Sequence, residues 1–197
     1  MKLELPDGKF DAFLFDCDGT IADSMPLHFE AWSVAVSEWG GQFPEALFYL
    51  WGGVPVRKVV ERLNEKYRLS MPVDEILIRK EQLYYNFLPK LRPVESVLEH
   101  IYDQHGKIPF AVVSGSPRES IFKTLKTLNL LDYFPVIIGA EDYTQGKPHP
   151  EPFLNAAKNL NISPEKCLVF EDADLGIESA RAAGMSWVKI SPIIKNF

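Results

Sequence analysis

Two aspartates, Asp16 and Asp18, stand two residues apart in the stretch DCDGT, directly after an apolar run, and Gly19 lets the chain turn away from them. Carboxylates so spaced at the end of a strand can share a hard cation. A second polar stretch, VSGSPRE, places Ser114 and Gly115 after another apolar run. There Ser116, three residues before Glu119 and followed by Pro117, has the pattern of a capping box on a new helix. Such a start aims backbone N–H groups and the positive end of the helix dipole at the strand ends, beside the Ser114 hydroxyl, which suits a phosphate. The third stretch, GKPHP, holds Lys147 on a loop stiffened by prolines, a compact point charge for an anion, with His149 packed between the prolines. The fourth, FEDAD, empties a strand into Glu171, Asp172 and Asp174, the last expected to cap the following helix. Carboxylates gathered at one sheet edge with Asp16 and Asp18 repel one another unless a divalent cation joins them. The all-oxygen donor set specifies Mg2+ rather than a transition metal. Each stretch alone also reads as ordinary structure: an Asp-Gly turn, a capped helix, a solvated lysine. Four in succession at strand ends do not.

The elements that must carry these residues are visible as short apolar runs: Phe10 to Phe15, Pro109 to Val113, Pro135 to Ile138, Cys167 to Phe170 and Trp187 to Ile190. Between the later runs lie helical stripes of Val94, Val97, Leu98 and Ile101, of Ile121, Leu125 and Leu128, and of Phe153, Ala156, Ala157 and Leu160. Strands alternating with amphipathic helices predict a parallel sheet covered on both faces, with ligands bound beyond the carboxyl ends of its strands. From about Ile21 to about Arg92 the rhythm breaks into three helical patterns without a strand. Asp23 and Ser24 can cap the first of these, Val56 to Tyr67 and Ile76 to Phe87 carry the others, and Gly40-Gly41 and Trp51-Gly52-Gly53 read as turns. The expected division is residues 1–20 with 93–197 as the sheet domain and residues 21–92 as a small helical cap over the strand ends.

Of the 197 residues 46% are hydrophobic and 24% charged, which suits a globular chain and argues against disorder. With 21 basic against 27 acidic side chains and a net charge of −6, no broad basic surface is available, so a nucleic-acid partner is not expected. No apolar run approaches the roughly 20 residues that span a bilayer, and the start MKLELPDGKF has no signal-peptide plan, so no membrane association and a cytoplasmic location are expected. Cys17 and Cys167 are too few for a disulfide framework and lack zinc-ligand spacing; both read as small buried residues.

The four stretches DCDGT, VVSGS, GKPHPEPF and FEDADLGIESARAAG, in this order, resemble the haloacid dehalogenase superfamily over nearly the whole chain. Within it the likeness is to the beta-phosphoglucomutase-like group, and FEDADLGIESARAAGM with the short cap is similar to that group's small bacterial fructose-1-phosphate phosphatases. The resemblance implies a Rossmann-like α/β core with an all-helical cap inserted after the first strand. Dehalogenases lack an acid two residues after the nucleophile, and Asp18 is present, which turns the reading toward phosphate chemistry. The phosphonate-hydrolase branch needs a cap lysine, for which Lys58 is the one loosely placed candidate.

Motifs and likeness together imply that Asp16 attacks phosphorus to form an aspartyl-phosphate and that Asp18 serves as acid and then base. They further imply that Mg2+ is held by Asp16, the Asp18 backbone carbonyl and Asp172, with Glu171 as ligand or close support, and that Ser114, Gly115 and Lys147 grip the phosphoryl group. The expected partner is a small phosphorylated substrate, bound by a monomer or small homo-oligomer. A hexose phosphomutase and, more remotely, a non-catalytic binding module remain the alternative readings. In the loop Trp51 to Lys58, Val56 stands where the mutase pattern has an arginine and Arg57 comes one place late, which favours hydrolysis unless Arg57, Lys58 or Lys80 compensates. His28, one turn into the first cap helix, reads either as a reacting group or as support for the hinge.

Overall fold

The computed structural model describes residues 3–52 and 54–191; Gly53 of the predicted turn and the C-terminal residues 192–197 lie outside the described residues. The five apolar runs form five strands, β1 (Ala12–Phe15), β2 (Phe110–Val113), β3 (Val136–Ile138), β4 (Cys167–Glu171) and β5 (Ser186–Lys189). All neighbouring pairs are parallel, in the order β3-β2-β1-β4-β5. These strands read as continuous rather than alternating runs because β1, β2 and β4 are buried on both faces. Alternate side chains of β1 divide between two cores. Phe13 and Phe15 join Phe110, Val112, Phe170 and Phe134 on one face, and Ala12 and Leu14 join Ala111, Val113 and Val169 on the other.

On the aromatic face lie α5 (Glu95–Gln104) and α6 (Arg118–Thr127), through Val97, Ile101, Ile121 and Leu125. The opposite face takes α7 (Glu151–Leu160) and α8 (Asp174–Ala182), whose Ala156, Ala157 and Ala180 leave the helices room to approach closely. The sheet order reverses between β1 and β4, so the connections leaving their carboxyl ends diverge and open a crevice there.

Residues Ser24–Leu91 form a second compact unit, distinct from the described residues up to Asp23 and from Arg92 onward. It contains α1 (Met25–Ser37), α2 (Glu45–Leu50), α3 (Val56–Tyr67) and α4 (Val73–Phe87), one helix more than the periodicity predicts. The extra helix, α2, is six residues long, too short to show a period. Leu27, His28, Ala31, Trp32, Ala35 and Val36 give α1 a broad buried face, and Ile76, Lys80, Leu83 and Tyr84 do the same for α4. The His28 ring stacks on Tyr84 at 3.9 Å, Phe48 packs against Phe29 and Phe43, and both polar atoms of the Asn64 side chain bind the Met71 backbone across the α3 to α4 turn. Among the described residues no helix is long and apolar enough to cross a membrane. Cys17 and Cys167 are buried free thiols.

Three expected helix caps are not made. Ser24 is the N-cap residue of α1 but makes no side-chain cap. Pro117, not Ser116, precedes α6, and no capping box forms, because the Ser116 hydroxyl donates to Asp18 and Glu119 pairs with Lys123. Asp174 is the first residue of α8 rather than its cap, and its carboxylate pairs with Lys189 of β5.

Phe15 is fully buried, stacked on Phe170 at 4.5 Å and edge-on to Phe110 and Phe134. Its replacement by alanine is expected to cost about 3–5 kcal/mol, read as a lowered urea midpoint with an unchanged slope.

Candidate active site

The carboxyl ends of β1, β2 and β4 carry Asp16, Ser114, Glu171 and Asp172, and Lys147 reaches Asp16 and Glu171 from the loop before α7. Asp16 follows β1 directly, its backbone N–H donating to the Phe170 carbonyl of β4 at 2.9 Å, so the two strand ends are stitched side by side. The chain then folds back at once: Ile21 and Ala22 N–H both reach the Cys17 carbonyl at 3.0 Å, and Gly19 adopts φ +90°. That glycine is required on two counts. A left-handed backbone disfavours other residues, and a Cβ there would stand 2.3 Å from Asp172 Oδ2. Gly176 plays the same part on the other side, where a Cβ would overlap the Glu171 carboxyl carbon at 2.0 Å.

Asp16, Glu171 and Asp172 offer carboxylate oxygens that all lie within 4.8 Å of one another. Lys147 answers two of them. Its Nζ donates to Asp16 Oδ1 and Glu171 Oε2, each at 2.7 Å, and to the Val113 carbonyl at the end of β2 at 3.0 Å. Burial works against the charge on Lys147, but the two carboxylates outweigh it and hold its pKa above the usual lysine value. Burial pushes Asp16 well above the ordinary carboxylate range, the charge of Glu171 adds to the push, and Lys147 opposes it. Asp172 is pushed up to about 7 by burial and by Glu171. Three carboxylates with one ammonium are short of positive charge, and every donor is a hard oxygen. The group could therefore hold a metal ion, and its chemistry fits Mg2+.

Asp18 stands apart from that cluster. Its Oδ2 accepts from Ser116 Oγ at 2.7 Å and from Ser114 Oγ at 3.5 Å, while Ser114 Oγ also accepts the Ser116 N–H at 3.1 Å. Thr20 Oγ1 reaches Asp172 Oδ1 at 3.5 Å. The first amide of α6 is not free for an anion, because Arg118 N–H donates to the Glu141 carboxylate at 3.1 Å. Gly115 follows the buried Ser114, and the Tyr143 hydroxyl lies 4.0 Å from where its Cβ would stand.

Residues 13–190 match the family model described as haloacid dehalogenase-like hydrolase. The chain belongs to the haloacid dehalogenase-like hydrolases. It is 31% identical to the fructose-1-phosphate phosphatase YqaB of Escherichia coli, over 92% of this chain and 97% of that one. It is 29% identical to the beta-phosphoglucomutase of Bacillus subtilis, over 88% of this chain and 80% of that one. Its fold matches CbbY from Rhodobacter sphaeroides, solved in complex with phosphate, with a TM-score of 0.85 at 19% identity, covering 93% of this chain and 87% of that one.

Within this family member, Asp16, Asp18, Ser114, Gly115, Lys147, Glu171 and Asp172 all come from the sheet unit, whereas Arg57 belongs to the helical unit. There Arg57, on the first turn of α3, forms an ion pair with Asp74 of α4; Lys58 pairs with Glu61, and Lys80 is buried against Glu81 with its Nζ over the Tyr84 ring. Sequence reasoning missed the Ser116 contact with Asp18, taking that serine for a cap, and missed Tyr143, whose hydroxyl donates to the Ser114 carbonyl at 3.3 Å. A hydroxyl two places after Ser114 in the same polar stretch was the available signal for Ser116.

The raised pKa of Asp172 sets a pH dependence. Its folded value of about 7 lies above its unfolded value of about 4, so the folded chain binds more protons in that window and stability falls as pH rises through it. In metal-free protein the melting temperature should fall between about pH 5 and about pH 7.5, and millimolar Mg2+ should raise it more at the upper pH than at the lower. A Mg2+ shift independent of pH, or larger in acid, would contradict the cluster described.

Proposed function

We propose that the protein is a Mg2+-dependent phosphatase that hydrolyses a small phosphorylated metabolite, a sugar phosphate in class, through an aspartyl-phosphate on Asp16. One observation carries the reading: two aspartates two residues apart occupy different chemical settings. Asp16 lies against the ammonium of Lys147, while Asp18 lies against serine hydroxyls. A nucleophile must be ionised: burial and the charge of Glu171 oppose that state and outweigh Lys147, which favours it, and a bound Mg2+ would supply the remaining positive charge. An acid that later becomes a base needs partners indifferent to its proton. The hydroxyls of Ser116 and Ser114 suit this, since each can donate to a carboxylate or accept from a carboxylic acid. The names of the relatives, a sugar-phosphate phosphatase and a phosphomutase, support phosphoryl chemistry on a sugar.

In the first step an Asp16 oxygen attacks phosphorus, the bond from phosphorus to the sugar oxygen breaks, and Asp18 gives its proton to the departing alcohol. In the second, Asp18 takes a proton from water, whose oxygen attacks the acyl phosphate and restores Asp16. Lys147 and the Ser114 hydroxyl, with the backbone near Gly115, orient the phosphoryl group. Asp16, Glu171 and Asp172 are the residues that would hold Mg2+, which when bound supplies positive charge against the phosphate oxygens. In the helical unit Val56 stands where the mutase pattern has an arginine, and the next residue, Arg57, pairs with Asp74, which supports hydrolysis over return transfer.

Asp16→Asn should abolish turnover while leaving metal-free stability equal or higher, because a neutral amide replaces a buried carboxylate. Asp18→Asn should lower kcat by about 10²- to 10⁴-fold. Incubation with a panel of sugar phosphates and Mg2+, scoring released phosphate and sugar isomers together, is expected to give phosphate without isomer. Isomer without phosphate would establish the mutase, and neither across a broad panel would return the chain to the binding-module reading.

A further inference from the structure

The loop that carries Lys147 is closed by a carboxylate that takes no part in the two chemical steps. Glu151, the first residue of α7, turns its side chain back along the chain: Oε1 accepts the Thr144 N–H and Oε2 accepts the Gln145 N–H, each at 2.9 Å. One side chain thus ties the two residues before Gly146-Lys147 to the residue after Pro148-His149-Pro150. Those amide bonds hold the Glu151 carboxyl below its usual range, so it stays anionic and keeps both acceptors. The foot of the clasp is itself held, since Glu151 N–H donates to His149 Nδ1 at 3.2 Å and the His149 carbonyl accepts from Ser179 Oγ of α8 at 2.6 Å. At the far end Tyr143 joins the Ser114 carbonyl, and its ring lies 3.2 Å from where a Cβ on Gly146 would be.

Lysine is a poor candidate for precise placement on its own. Four flexible carbons separate its charge from the backbone, and Gly146 to Pro150 belong to no strand or helix. Nζ nevertheless meets Asp16, Glu171 and the Val113 carbonyl at once, which requires a fixed Cα. We infer that Glu151 is a positioning residue for Lys147: its carboxylate clasps the lysine loop and so keeps the ammonium at the carboxylate cluster, where an incoming phosphate meets it. The role of phosphate here rests on the phosphatase reading. A glutamate that merely stabilised the start of α7 would act on stability alone, without reference to Lys147.

The test is a double-mutant cycle on the full chain with Mg2+, using inorganic phosphate as the probe in calorimetric titration and a circular-dichroism melt to show that each variant is folded. Glu151→Ala should weaken phosphate binding about 10-fold, the loss of a charge-assisted hydrogen-bond pair, and Glu151→Gln, which keeps one acceptor oxygen, by less. In a Lys147→Ala background Glu151→Ala should add nothing. Equal weakening in both backgrounds, or none in either, overturns the inference; if Glu151→Ala fails to fold, the same cycle run with Glu151→Gln decides it. Phosphate binding undiminished by Lys147→Ala would overturn instead the phosphate site on which the inference rests, and the inference with it.

Discussion

The ammonium of Lys147, wedged 2.7 Å from Asp16 and from Glu171, is the contact around which the rest of the site is arranged. It draws together the ends of β1, β2 and β4, since its third acceptor is the Val113 carbonyl. It also accounts for the charge that stays unbalanced. One ammonium facing the carboxylates of Asp16, Glu171 and Asp172 leaves negative charge in a buried place, and burial, with the charge of Glu171 added, pushes the pKa of Asp172 up to about 7. A divalent ion added to such a cluster would cancel the excess negative charge of its three carboxylates and one ammonium, so that an acidic protein no longer repels an anion at the strand ends. The two glycines that border the cluster, Gly19 and Gly176, are the steric condition for this, because any side chain would displace a carboxylate.

Much of this was readable from residue order. The strands were legible because burial on both faces makes a strand an unbroken apolar run, a pattern that needs no knowledge of partners. The carboxylates were legible because each comes immediately after such a run, and a parallel sheet gathers the residues beyond its strand ends along one edge. Family resemblance then assigned roles that spacing alone left open.

Local inference about hydroxyls and caps failed. The sequence pattern puts Ser116 and Asp174 at cap positions that Pro117 and Ala173 take instead, and each side chain binds elsewhere: Ser116 to a carboxylate 98 residues away, and Asp174 to Lys189. A capping pattern describes only the nearest backbone donors, and an ionised partner brought in by the fold outcompetes them. The N-terminus of α6 illustrates the converse. An amide expected to await an anion is already occupied by Glu141, from a connection that no local window includes.

The helical unit departs from the sheet unit and rejoins it at neighbouring points. Ala22 bridges Pro93 in antiparallel fashion, Asp23 N–H donates to the Arg92 carbonyl at 2.9 Å, and Val94 N–H returns to the Ile21 carbonyl at 2.9 Å. For the sheet unit, the whole insertion is therefore equivalent to a hairpin turn. Loop-closure entropy grows only with the logarithm of loop length, and this zippered stem fixes the ends of the loop whatever it contains. Such an arrangement allows the inserted module to be lengthened, shortened or exchanged in evolution while the register of β1 and its carboxylates is preserved.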